Sequence, residues 1–191
     1  MAKAKIKLTK TRIILLAALI ALVLGIYGSV YFYPRPQAKM DTINFGGVIL
    51  TFRQDIREAK GVQVSPSEDV ITRSLASYNV KNISFAFKDA GEADNPLYIV
   101  EEGEIIQKLF VLYKLANHEV GYNSILVNDS YQTLNGSVEN PVIAFIHPKF
   151  AKDTQVKFVN NVIYVEGTDA KNLDLATVRL LMLALDVKIP D

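Results

Sequence analysis

Twenty consecutive residues without a charge, Ile13 to Phe32 (IILLAALIALVLGIYGSVYF), constrain this chain more than any other feature. As a helix they reach about 30 Å, the thickness of a bilayer's hydrocarbon core, so the expectation is one transmembrane helix. Lys3, Lys5, Lys7, Lys10 and Arg12 precede the run with no acid among them, whereas Arg35 and Lys39 alone follow it closely. By the positive-inside rule the N-terminus stays in the cytoplasm and the rest of the chain lies outside. Tyr31, Phe32 and Tyr33 fit an aromatic belt, and Pro34 and Pro36 stop the helix. A cleaved signal peptide shares this layout, but the run exceeds the usual h-region of roughly 7 to 15 residues and no A-x-A site follows. The expected organisation is a basic cytoplasmic tail (1–12), a signal-anchor helix (13–32), a short spacer (33–40) and an extracytoplasmic domain (41–191).

Charge divides along the same line. All 20 acids lie after Lys39, against 14 of the Lys and Arg, which leaves the exported part at −6. An acidic domain without a basic stripe argues against nucleic acid as a partner, because that binding depends on neutralising phosphates. The chain has no cysteine, hence neither a lipobox thiol nor a disulfide.

Beyond the spacer the pattern predicts an α/β (mixed α+β) domain, a mixed sheet packed with about three helices. Ile43 to Phe52 reads as one strand with Gly46 and Gly47 marking a bulge, and Val62 to Val64 as a brief second strand. Ser65, Pro66 and Glu68 spell a capping box for a helix running to about Ser77. Lys81 to Lys88 alternates as a half-covered strand, and Leu97 to Val100 reads as another. Glu101, Glu102 and Glu104 then stand as the acidic first turn of an apolar helix that carries Ile105, Leu109 and Leu112. Ile125 to Val127 and Pro141 to His147 are further strands, the second apolar enough to be central. Gln155 to Glu166 divides into a hairpin about Asn160 and Asn161, and a helix from about Asn172 to Leu185 packs across the sheet.

Sequence motifs for chemistry are sparse. In the apolar run Ala17, Ala21, Gly25 and Ser29 recur every fourth residue, a small-residue face that lets a second helix approach and predicts a homo-oligomer through the membrane helix. His118-Glu119 opens like a zinc-protease HExxH, but Tyr122 stands where the second ligand belongs. His147 ends a strand, a place where active-site residues occur. Asp89, Glu92 and Asp94 share a loop without EF-hand order. No nucleophile motif and no phosphate loop is present, so no catalytic, metal or cofactor residue is assigned. Of three N-x-[ST] sequons, Asn128 and Asn135 fall in a predicted loop and are the expected glycosylation sites; Asn82 begins a strand. The polar segment Arg53 to Lys60 is the place to look for a specific contact, against the plainer reading of a solvated turn.

Four stretches, LTFRQDIREAKGVQVSPSE from Leu50, PLYIVEEGEIIQKLFVLYKL from Pro96, NPVIAFIHPKF from Asn140 and VIYVEGTDAKNLDLATVRLLMLAL from Val162, resemble a family of uncharacterised single-pass membrane proteins in archaeal genomes. The resemblance implies an extracytoplasmic domain in an archaeal envelope and carries no functional residue with it. The sequence therefore points first to a membrane-anchored, non-enzymatic surface module, a protein-interaction or envelope-complex subunit. It points next to a ligand-binding module of a transporter or envelope complex, and last to an envelope hydrolase whose carboxylates or His147 converge only in the fold. Replacing Gly25 by Ile should weaken self-association several-fold in a membrane dimerisation assay; unchanged association would remove the small-residue face from the account.

Overall fold

Strand and helix signals alternate from Gln63 onward, and in the computed structural model they assemble a mixed sheet with helices on one face. The structure describes residues 41–90, 95–127 and 131–187, so Ala17, Ala21, Gly25, Ser29 and the expected anchor lie outside the described residues. Among the described residues no helix is long and apolar enough to cross a membrane.

The elements are β1 (Asp41–Phe45), β2 (Val48–Phe52), α1 (Ile56–Lys60), β3 (Gln63–Ser65), α2 (Glu68–Ala76), β4 (Asn82–Lys88), α3 (Pro96–Leu115), β5 (Gly121–Val127), β6 (Val142–Ile146), β7 (Gln155–Val159), β8 (Val162–Glu166) and α4 (Ala170–Ala184). The six-stranded sheet has the order β3-β7-β8-β6-β4-β5. Strands β5, β4, β6 and β8 run parallel, while β7 returns antiparallel to β8 and carries β3 alongside. β6 is buried along its whole length, as its unbroken apolar run requires of an inner parallel strand.

The main core lies between the sheet and the helices. Phe85 of β4, Phe145 of β6 and Val165 of β8 meet Leu75 of α2, Leu109 of α3 and Leu180 of α4 there. α4 is the hub: every residue from Leu173 to Ala184 is buried. A helix apolar on all sides must be covered on all sides. β7 and β8 lie on one side, α2 and α3 flank it, and α1 packs on it as well. The β1–β2 hairpin joins the same core through Phe52, fully buried like Ala59 of α1.

The opposite face of the sheet carries a smaller cluster, Ala86, Val127, Val142, Ala144 and Val162, roofed by Tyr131 and Leu134. That roof crosses the β7–β8 turn so closely that a Cβ on Gly136 would lie 2.2 Å from the Asn161 carbonyl oxygen. Asn160 and Asn161 take positive φ of 52° and 59°, the type I′ geometry expected of the hairpin.

Several expectations need correcting. Gly46 and Gly47, with φ of 57° and 87°, turn a hairpin and not a bulge, so the expected single strand is two strands paired antiparallel. Leu97 to Val100 is no strand: α3 begins at Pro96, and a short apolar run had hidden its helical register. Glu101, Glu102 and Glu104 thus lie inside α3 and not before it. The capping box does not form, since Ser65 ends β3, Ser67 stands at the N-cap without a side-chain bond, and Glu68 pairs with Arg179. Asp55, whose carboxylate accepts from the Arg57 and Glu58 amides, nucleates a fourth helix, α1, within the expected turn. β5 extends back to Gly121, and α4, capped by Asp169, begins at Ala170, two residues ahead of the expected start.

Candidate functional site

Because β4, β6 and β8 run parallel, Lys88, His147 and Glu166 come to one edge of the sheet, the carboxyl edge. From β4 the chain moves outward through α3 to β5, whereas β6 and β8 lie on the other side of β4. Such a divide at the carboxyl edge is where open α/β sheets take their ligands. A groove of about 430 Å³ opens beside it on the face that the helices leave free. Tyr131, Ile146, Phe150 and Tyr164 supply its apolar surface, and Lys152, Asp153, Gln155, Lys157 and Glu166 its polar groups.

Hydrogen bonds fix the aromatic part. The Tyr131 hydroxyl accepts from the Lys88 amide at 2.8 Å and donates to the Phe145 carbonyl at 2.7 Å. Tyr164 donates to the Tyr131 carbonyl at 3.3 Å. Both hydroxyls therefore serve the backbone, and ring surface is what remains for a ligand. Gln155 donates to Glu166 at 3.4 Å, which holds two of the polar groups side by side. The Lys88 ammonium lies 5.3 Å from the centre of the Phe150 ring, a cation–π contact that steadies the groove's outer wall. Rings beside charges of both signs suit binding; among the described residues no histidine, serine or threonine lines the groove.

The two histidines sit apart. His147 is nearly buried at the carboxyl edge, edge-on to Tyr98 at 5.5 Å, and its Nδ1 accepts from the Lys149 amide. Burial pushes the Tyr98 hydroxyl far above its ordinary pKa, so it keeps its proton. His118 lies just ahead of β5, at the opposite edge, with Nε2 2.6 Å from the Val80 carbonyl oxygen. Tyr122, in the place of a second metal ligand, stacks on Phe85. Among the described residues no three His, Asp or Glu side chains gather as a metal site.

A second cluster lies inside the fold. Glu101 of α3 is fully buried, and Asp174 of α4 nearly so. Arg53 reaches both, at 3.7 Å each, from the link between β2 and α1. Gln54 donates to Asp174 at 2.7 Å. Burial, and next the charge of Asp174, raise the Glu101 pKa from 4.5 to about 7; Thr177 and Arg53 pull the other way without cancelling this. One turn along α3, Lys108 pairs with Glu104 at 2.6 Å beneath the Phe52 ring. Glu101 and Asp174 are thus the convergence of carboxylates that a hydrolase would need, yet neither lines any of the four described cavities.

In the segment Arg53 to Lys60, singled out by sequence for a contact, Arg53 and Gln54 reach inward to the buried acids, while Glu58 pairs with Lys171 at 2.6 Å on the surface. Asn135 is exposed, Asn128 lies outside the described residues, and the Asn82 side chain is bonded to Asn123. Of the loop acids, Asp89 accepts from Asn95, while Glu92 and Asp94 lie outside the described residues. The groove residues escaped sequence reasoning, because Tyr131, Phe150 and Tyr164 come from three separate segments.

Compared with models of known families, with curated proteins and with solved structures, the chain matches none. Replacing Tyr131 by Phe removes the partner of the Lys88 amide and should cost about 1–3 kcal/mol, read as a lowered urea midpoint at unchanged m-value.

Proposed function

We propose that the protein is a membrane-anchored, non-enzymatic module that holds its α/β domain outside the cell and binds a small polar ligand bearing an apolar ring face, as part of a transporter or envelope complex. The groove at the carboxyl edge carries this reading. Its volume of about 430 Å³ lies in the range of small-molecule sites, roughly 300 to 1,000 Å³, and rings with convergent polar groups are what such sites share. The uncharged run Ile13 to Phe32, the basic residues before it and the resemblance to archaeal single-pass proteins support the anchor and the outward placement.

A second reading, a protein-interaction subunit of the envelope, is favoured by apolar side chains along α3: Ile99 and Phe110 are 68% and 58% exposed. The hydrolase reading has converging acids in Glu101 and Asp174, but among the described residues neither lines a cavity.

Ligand-observed saturation-transfer NMR on the full chain, with a panel of mono- and disaccharides, nucleosides and aromatic amino acids, tests the binding reading. At least one class should receive saturation, and Tyr164→Ala should weaken it tenfold or more, about 1.4 kcal/mol. No transfer from any class, or transfer that survives both Tyr164→Ala and Phe150→Ala, would move the function to the α3 surface.

A further inference from the structure

The buried cluster at Arg53 has one charge too many. Glu104 and Lys108 neutralise each other within α3, but among the described residues Glu101 and Asp174 have only one guanidinium between them. Both Glu101 oxygens, Asp174 Oδ1, Thr177 Oγ1 and Arg53 Nη1 are buried without a hydrogen-bond partner. With both acids ionised the site holds a net negative charge away from water, which low-dielectric surroundings make costly. One proton neutralises the excess.

The groups around that proton belong to different parts of the fold. Glu101 lies on α3 with Glu104 as its charged neighbour there, Asp174 and Thr177 face it from α4, and Arg53 faces it from the β2–α1 link. Arg53 and Gln54 are the polar ties between that link and the helices at this point; the rest of the segment docks through Leu50, Phe52 and Ala59 and through the surface pair of Glu58 with Lys171. Water can reach the excess charge most readily along Arg53, the partly exposed member, by lifting that segment.

We propose that Arg53, Glu101 and Asp174 form a proton-operated latch, which holds β1, β2 and α1 on helices α3 and α4 while the Glu101 carboxyl is protonated and loosens when it ionises. The site lies apart from the groove, so the latch does not depend on the ligand-binding reading. β1 begins at Asp41, directly after the expected spacer, so the latch governs the element by which the domain is tethered.

The direction in pH follows from Glu101, whose folded value of about 7 lies above its ordinary 4.5. A carboxyl raised in this way stabilises the closed segment fully below about 4.5, and the contribution is lost as pH rises through about 7. Hydrogen exchange on the full chain, corrected for intrinsic rates, should show opening of the β1 and β2 amides rising about tenfold per pH unit between pH 5 and 7 and levelling above that. Amides of β6, whose opening requires the core to unfold, should exchange far more slowly than those of β1 and β2 at every pH. Glu101→Gln, neutral at every pH, should abolish the slope. Opening independent of pH, or a slope that persists in Glu101→Gln, would overturn the latch. Should that variant not fold, the carbon-13 titration of the Glu101 carboxyl in the unaltered chain decides: a midpoint near 7 supports the latch, and one near 4.5 overturns it.

Discussion

Helix α4 is buried on every side, and the remaining elements are arranged as its cover. A surface helix would need only one buried stripe, but here twelve residues in succession lie away from water. Each fully buried leucine among them is worth about 1.5–3 kcal/mol against exposure, and the full gain needs the β1–β2–α1 segment in place as well as the sheet. The same demand explains why a five-residue helix such as α1, too short to stand alone, is stable where it is.

Polar residues on α4 choose the partners. Asp174 takes Gln54 and Arg53 from the start of the domain, and Arg179 takes Glu68 from the start of α2. Arg53 and Glu68 are partly exposed, so solvent screens these pairs and each adds little stability; left without its partner, the buried Asp174 or Arg179 is costly, and the contacts therefore discriminate against misdocked arrangements. The Glu101–Asp174 pair departs from this pattern because two acids share one cation. That imbalance makes the packing of the first segment depend on pH, which fully matched pairs would not do over the same range.

Much of the fold was legible in the sequence. The inner position of β6 followed from its unbroken apolar run, and the Asn160–Asn161 turn from the tolerance of asparagine for positive φ. What failed was the register at Pro96. Had α3 been started there, Glu101 would have fallen four residues before Ile105 and eight before Leu109, on the buried stripe, and the inward acid would have been visible. Taking Leu97 to Val100 as a strand moved the acids to a solvated helix start instead. The capping box failed for a different reason: Ser65 was already committed to pairing with β7, and Glu68 to Arg179, neither of which is a local matter. The groove was illegible in principle, since its rings meet only after β6 and β8 pair and the roof segment folds back.

Helices and hairpin occupy one face of the sheet, which leaves the carboxyl edge and the opposite face as the surface open to a ligand. The account places that surface outside the cell, and the absence of native cysteine makes the placement easy to test. Single cysteines at Lys152, on the groove, and at Lys5, ahead of the apolar run, can be challenged in intact cells with a membrane-impermeant maleimide. The account predicts labelling of Lys152→Cys in intact cells and of Lys5→Cys only after permeabilisation; labelling in the reverse order, or of neither until the cells are opened, would contradict it.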